Sequence, residues 1–448
     1  MPVALPPPVL VAPSPNEVSF GRIAGRVPRG TQRVVVSFDG SLAAEKELAP
    51  GRTTFDFHVD LPTRDVRVMV TAVADGNRRS STAVAPVFGL PRGGTPRAPP
   101  RRSSEDARLA RTVRALARSF PGTCAIFVQD LRTGSGAAWN ARAEFPAAST
   151  LKAGIAVEVL RSLRGKPPPG SRIDRLLRNA IVPSDDKAAN ELLVWLGGSI
   201  SAGANRVNAL FRGLHLDNTD MYGGYIVESR APIPVRRNAQ PAFVGKRTTA
   251  WDFARLLRAV HFSASGRGPL ARLGGFVPSE ARFLLYLLAH AQPSWLGRGL
   301  TGQRAAVLHK PGWITRARHD GGLVYWEGGA FVAVVMTWNA RGVGASSEAL
   351  AGRVAQAALR RFSSRPGRAS PAQSRAVQRG PGVRGLDRRA RWGQSTEVSW
   401  PRAARFGGSR GQAPGPDRSK RGGASWLGAL APTVPPGQVL GPGPWTWR

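Results

Sequence analysis

Phe145-Pro146-Ala147-Ala148-Ser149-Thr150-Leu151-Lys152-Ala153-Gly154-Ile155-Ala156-Val157-Glu158-Val159-Leu160 is the stretch on which the reading of this 448-residue chain turns. From Leu151 onward it is apolar almost all round a helical wheel, so a helix here is buried. Ser149 and Lys152 stand three residues apart at its start, a spacing that puts hydroxyl and amine on one face. A lysine at a buried helix start is costly unless its charge is paired or removed. Burial lowers its pKa and makes a neutral amine available as a base for the serine. The helix N-terminus adds backbone N–H groups and the positive end of a dipole, which stabilise an anion forming beside Ser149.

Outward from this stretch, residues 105–363 mix helical and strand periods over the length of one large domain. Ser104-Glu105-Asp106 opens a helix with Leu109, Val113, Leu116 and Ala117 on one face. A strand hairpin follows, Ala125 to Asp130 and Gly136 to Trp139, and the middle of the segment is mainly helical. Two late strands, Gly322 to Trp326 and Ala330 to Met336, precede a helix from Ser346 to about Phe362. Strands from both ends with helices between them predict an α+β domain, an antiparallel sheet flanked by helices with a helical subdomain.

S-x-x-K alone is a weak signal, and the chain holds a second copy, Ser184-Asp185-Asp186-Lys187. It lies in Val182-Pro183-Ser184-Asp185-Asp186-Lys187-Ala188-Ala189-Asn190, which reads as a turn leading into a helix. There Asn190 and Glu191 read as helix surface. The third piece is Val307-Leu308-His309-Lys310-Pro311-Gly312-Trp313, a strand-like run ending in a basic residue and a glycine.

Taken in order, S-x-x-K, S-D-D and K-P-G on a late strand resemble the signature set of class A β-lactamases and penicillin-binding proteins. Residues 105–363 are similar to a class A β-lactamase-type serine hydrolase domain. The resemblance implies Ser149 as acylated nucleophile, Lys152 as its proton acceptor, and Ser184 as proton shuttle to the leaving nitrogen. It implies that Lys310 holds a substrate carboxylate, and that the backbone N–H groups of Ser149 and Trp313 form an oxyanion hole. Gly312 then lets the strand approach the acyl group. Asp186 stands where the family has an asparagine that donates to a substrate amide carbonyl, and a carboxylate cannot donate unless protonated. Pro311 replaces a hydroxyl residue. The family's deacylating glutamate sits in an E-x-x-L-N loop before a helix that begins like Thr248-Thr249-Ala250-Trp251. The loop from Asp217 to Arg247 lacks that motif, and Glu228 is its one glutamate, hence the candidate base. The implied reaction opens a β-lactam or related amide through acyl-Ser149. A D-alanyl-D-alanine peptidase or esterase with slow deacylation and a non-catalytic cell-wall peptide binder are the alternatives. A small β-lactam or peptidoglycan-like substrate, no cofactor and a monomeric protein are expected.

Residues 16–90 alternate apolar and polar at period two, as in Thr54-Phe55-Asp56-Phe57-His58-Val59 and Val66-Arg67-Val68-Met69-Val70, with turn residues between the runs. They read as a small all-β, immunoglobulin-like sandwich. Residues 91–104 read as a linker on composition. The net charge is +36, but the 64 basic residues are nearly all arginine, and no basic cluster is interleaved with aromatics as in a nucleic-acid reader. Specific nucleic-acid binding is not expected. No apolar run reaches membrane-span length, and one cysteine with scattered histidines argues against a metal site. The first fifteen residues lack a signal-peptide pattern; the expected location is extracellular or the cell envelope if the true start lies upstream.

Residues 364–448 are basic and rich in Gly, Pro and Ser, with no apolar period to bury, and read as a disordered tail. Such a composition cannot offset an ordering cost of about 1–2 kcal/mol per residue. A chain ending after Phe362 should therefore unfold at the same temperature as the full chain. A drop of several degrees in thermal unfolding would show that the tail is packed.

Overall fold

The computed structural model describes residues 4–227 and 245–364. Glu228 and the basic tail from 365 lie outside the described residues. The N-terminal strands are β1 (Val9–Ala12), β2 (Glu17–Ser19), β3 (Arg22–Arg26), β4 (Thr31–Phe38), β5 (Ser41–Glu47), β6 (Thr54–His58), β7 (Asp65–Ala74) and β8 (Arg79–Gly89). They form two sheets, ordered β1-β3-β6 and β2-β8-β7-β4-β5. All pairings are antiparallel except β2 with β8. This is an immunoglobulin-like sandwich, and the period-two pattern explains its core. Phe55 and Phe57 on β6 and Val66, Val68 and Val70 on β7 point inward with Ile23, Val34 and Val36.

The second domain opens with β9 (Ser104–Glu105), α1 (Ala107–Arg118), β10 (Thr123–Asp130), β11 (Ser135–Trp139) and β12 (Phe145–Pro146). A helical block follows: α2 (Lys152–Leu163), α3 (Arg172–Ile181), α4 (Asp186–Gly197) and α5 (Ile200–Gly213). Next come β13 (Arg247–Thr248), α6 (Ala250–Ser263), α7 (Pro269–Leu273), α8 (Pro278–Ala289) and α9 (Trp295–Arg298). The domain ends with β14 (Ala305–Ile314), β15 (Ala317–Trp326), β16 (Gly329–Trp338) and α10 (Ala345–Ser363).

Six strands make the main sheet, in the order β14-β15-β16-β10-β11-β9. Strands from the two ends of the domain meet where β10 pairs with β16. Both faces are buried, which is why β16 reads as an unbroken apolar run. Val332, Val334 and Met336 face the helical block, while Phe331, Ala333 and Val335 face α1, α9 and α10. Asp106 caps α1, its carboxylate accepting from Leu109 N at 3.0 Å. The fold class is thus α+β, preceded by a small all-β domain.

Residues 90–105 are more than a spacer. Leu90 is fully buried in the core of the second domain, Gly94 packs on the Tyr325 ring, and β9 extends the main sheet by pairing with β11. At Gly93 a Cβ would collide with the Glu327 carbonyl, so glycine permits the chain to lie flat on the sheet. Composition cannot reveal this, because Gly and Pro serve close packing as well as flexibility.

The sandwich is also joined by charge. Glu17 on β2, 1% exposed, forms an ion pair with Lys166 Nζ at 2.5 Å and accepts from Arg282 Nε at 2.6 Å. Asp65 on β7 meets His290 Nε2 at 3.0 Å, and Phe20 lies 5.8 Å from Tyr325. Breaking a buried ion cluster strands the remaining charges and costs on the order of 3 kcal/mol. Residues 4–364 should unfold in one calorimetric transition, and Glu17→Ala should lower its midpoint by several degrees. Two separate transitions in the unaltered protein would show that the domains are energetically independent.

Candidate active site

The site is built where three segments converge. The first is a tight turn, Ala148–Leu151, leading directly into α2. Ala148 has φ +48°, an uncommon conformation for a residue with a Cβ, and it immediately precedes Ser149. Helix α2 is buried from Lys152 to Leu160. Gly154 allows this depth, since a Cβ there would lie 2.5 Å from the Phe211 ring of α5.

The second segment is the turn before α4. Ser184 also has a left-handed backbone, φ +64°. Its conformation is held from both sides: Asp185 N donates to Asn179 O at 2.9 Å, and the Asp185 carboxylate caps α4 by accepting from Ala188 N at 2.5 Å. The third segment is β14, an edge strand of the main sheet. A proline lacks the N–H that a central strand needs, and Pro311 is tolerated because it sits on this edge. Gly312 touches the Ser149 turn, and a Cβ there would lie 2.9 Å from both Ser149 N and Thr150 N.

Two lysines with no exposed surface meet at Ser184. Lys310 Nζ donates to Ser184 Oγ at 2.7 Å and to Pro311 O at 3.1 Å. Lys152 Nζ lies 3.3 Å from Ser184 Oγ, donates to the Ser184 carbonyl, and pairs with Asp186 Oδ1 at 2.5 Å. Burial pushes the Lys152 amine below the ordinary lysine range, with Asp186 pulling the other way. Burial and the neighbouring Lys152 charge push Lys310 down further. In the second S-x-x-K copy, by contrast, Lys187 is exposed, so the two copies have opposite surroundings. His309 is fixed behind β14, Nδ1 2.7 Å from Asp320 Oδ1 and Nε2 3.0 Å from Ala291 O. Asp320 Oδ2 in turn accepts from Trp295 N and Leu296 N, each at 2.9 Å. Trp313 is 42% exposed and packs edge-on against Trp295, ring centres 5.8 Å apart.

The structure thus gathers Ser149, Lys152, Ser184, Asp186, Lys310, Gly312 and Trp313, while Glu228 lies outside the described residues. Sequence reasoning missed three further groups. Asn190 is not plain helix surface: its side chain donates to Tyr225 O at 3.0 Å and accepts from Tyr225 N at 2.7 Å. The Tyr225 ring lies under two ammonium groups, Lys152 Nζ and Lys246 Nζ, each 4.6 Å from its centre. Lys246 donates to Gly224 O, and its carbonyl accepts from Ala147 N at 2.8 Å, two residues before Ser149. The only linear clue was Asn190 falling six residues after Ser184, on the face of α4 that carries Asp186. Among the described residues no group of His, Cys, Asp and Glu could hold a metal ion, and no helix is long and apolar enough to cross a membrane.

A strand edge lies against a serine turn, and two buried lysines face a second serine. A family model for the beta-lactamase enzyme family matches residues 108–167 and 165–362. The chain belongs to that family. Among solved structures it is similar to PBP-A, at 21% identity over 60% of this chain and 99% of that one, TM-score 0.47. It is also similar to a beta-lactamase from Sphaerobacter thermophilus DSM 20745, at 20% identity over 57% and 97% of the chains, TM-score 0.44. A class A beta-lactamase from Mycobacterium abscessus gives 17% identity over 57% and 99%, TM-score 0.46. No curated protein matches the chain.

Lys246 supplies a test of site electrostatics. Burial pulls its pKa to about 8, with Asp186 opposing the shift and Lys152 adding to it. Between about pH 8 and 10.5 the folded state then binds fewer protons than the unfolded chain. Its buried charge therefore destabilises the fold below pH 8, and this penalty fades as pH rises toward 10.5. Lys246→Met should gain stability over the unaltered protein at pH 7, by urea unfolding, and the difference should narrow across that window. A pH-independent difference would show that the ammonium is solvated.

Proposed function

We propose that this protein is a serine acyl-transfer enzyme that opens a β-lactam, or an amide of related shape, through an ester on Ser149. The observation that carries the reading is the convergence of Lys152 and Lys310 on Ser184 beside the Ser149 turn. Ser149 Oγ attacks the scissile carbonyl while the Lys152 amine, kept basic but less readily charged by burial, takes its proton. Negative charge developing on the carbonyl oxygen is received by the backbone N–H groups of Ser149 and Trp313, the latter on the open edge of β14. The carbon–nitrogen bond breaks as Ser184 passes its proton to the leaving nitrogen. Ser184 is reprotonated from the lysines that touch it. Lys310 supplies the positive charge that attracts a substrate carboxylate, and Gly312 leaves room for the acyl group.

Hydrolysis of the ester needs a water and a base. Among the described residues Asp186 is the carboxylate paired with an amine of the site, and Lys152 occupies it. Lack of a well-placed general base costs about 10²–10⁴ in rate. Slow deacylation follows, and it supports a second reading as a cell-wall peptidase or esterase. Glu228 is retained as a candidate base only through its place in the sequence.

Intact-protein mass measurement after exposure to benzylpenicillin should show a stoichiometric adduct that Ser149→Ala abolishes. Stopped-flow hydrolysis of a chromogenic cephalosporin should show a burst followed by slow turnover. An adduct that persists in Ser149→Ala and vanishes in Ser184→Ala would reverse the assignment of the two serines. Turnover without a burst, collapsing in Glu228→Gln, would show that a working deacylation base exists.

A further inference from the structure

Hydrolysis of an acyl-Ser149 ester needs a base, and the site holds an amine that acylation does not use. Lys246 Nζ lies 4.6 Å from the centre of the Tyr225 ring, as does Lys152 Nζ, so the two nitrogens are separated by no more than twice that distance. The backbone of Lys246 is anchored beside the Ser149 turn, its carbonyl accepting from Ala147 N at 2.8 Å.

The two amines differ in the bonding capacity left to them. Lys152 has no exposed surface, and its nitrogen is engaged by the Ser184 carbonyl, the Ser184 hydroxyl and the Asp186 carboxylate. Lys246 keeps part of its surface in solvent. Among the described residues its nitrogen donates to one oxygen, the Gly224 carbonyl, which directs one N–H into the loop. In its neutral form such an amine has a lone pair to offer to a water.

The groups facing the nitrogen set its affinity for a proton. Burial favours the neutral form, the Lys152 charge acts in the same direction, and Asp186 on α4 opposes both. The Tyr225 phenol is kept protonated by its own burial and adds no charge. Arg247, next in sequence, is paired with Glu144. The outcome is a pKa of about 8, close to the pH at which a general base works best.

We propose that Lys246 is a catalytic residue of the second half-reaction, the general base that activates water for hydrolysis of the acyl-Ser149 ester. This deepens the acyl-transfer reading above and rests on it. The water oxygen bonds to the ester carbonyl carbon as the Lys246 amine takes one water proton. The bond from that carbon to Ser149 Oγ breaks, the ammonium returns the proton to the serine oxygen through solvent, and the acid product leaves. No carboxylate is needed for this step. Because the amine is mostly charged at pH 7, hydrolysis is slow there and accelerates as pH rises through about 8.

The full-length protein is acylated with benzylpenicillin, freed of excess reagent, and followed by intact mass as the adduct decays from about pH 6 to about pH 10. The decay rate should rise and then level off, with its midpoint at about pH 8. Attack by hydroxide on an unassisted ester climbs without levelling. Lys246→Met should still form the adduct, hold it at least about 100-fold longer at the alkaline plateau, and lose the midpoint. Lys246→Arg keeps a positive charge that it cannot shed in this range, and should behave like Lys246→Met. A decay rate unchanged in Lys246→Met would overturn the proposal, as would a Lys246→Arg protein that deacylates like the unaltered one. If the unaltered protein forms an adduct and neither variant does, Lys246 serves a step before the ester and the proposal fails. Absence of any adduct in the unaltered protein is a different failure: it removes the acyl-transfer reading itself, and this inference with it.

Discussion

Two lysine side chains with no solvent exposure converge on one serine hydroxyl, and much of the molecule exists to make that tolerable. Burying an ammonium is costly unless it is paired, hydrogen-bonded or discharged. Here a single carboxylate, Asp186, is paired with Lys152, and Lys310 has oxygen acceptors on Ser184 and Pro311. The balance leaves both amines easier to deprotonate than free lysine. That is the property an amine needs to act as a base near neutral pH. In the same arrangement Ser184 has a left-handed backbone, and its hydroxyl and carbonyl both face the amines. Its neighbour Asp185 holds it there by capping α4.

The sheet supplies the second constraint. Its interior strands are apolar on both faces, so they are locked between two helical layers. β14 is the edge of the sheet. An edge strand exposes backbone N–H and C=O groups that are usually a liability. In this protein the edge includes Gly312, which lies directly against the Ser149 turn. His309 and Asp320 fix the strand from behind, so Lys310 and Gly312 are presented by a rigid support.

The loop side of the site is organised by Asn190, whose two hydrogen bonds tie Tyr225 to α4. Ring faces carry a negative quadrupole, so the Tyr225 ring lowers the cost of holding Lys152 and Lys246 close together. The N-terminal sandwich is part of the same body: Glu17 joins it to Lys166 after α2 and to Arg282 on α8.

What the sequence determined by itself was local. Period two over residues 54–59 and 66–70 specifies strands, and an apolar wheel after Ser149 specifies a buried helix, because both depend on neighbours within a few residues. The order of S-x-x-K, S-D-D and K-P-G was legible for the same reason. Which S-x-x-K holds a buried amine was only suggested by context; tertiary packing decided it, covering Lys152 and leaving Lys187 in water. Tyr225 and Lys246 carried no linear mark, since their significance is their distance to Lys152, which is set by how the loop folds back over α4. The segment 91–104 shows the same limit, because glycine and proline encode a permissive backbone and not its surroundings. Spacing along a chain fixes which side chains share a face, and only the packing of separate elements fixes which charges share a cavity.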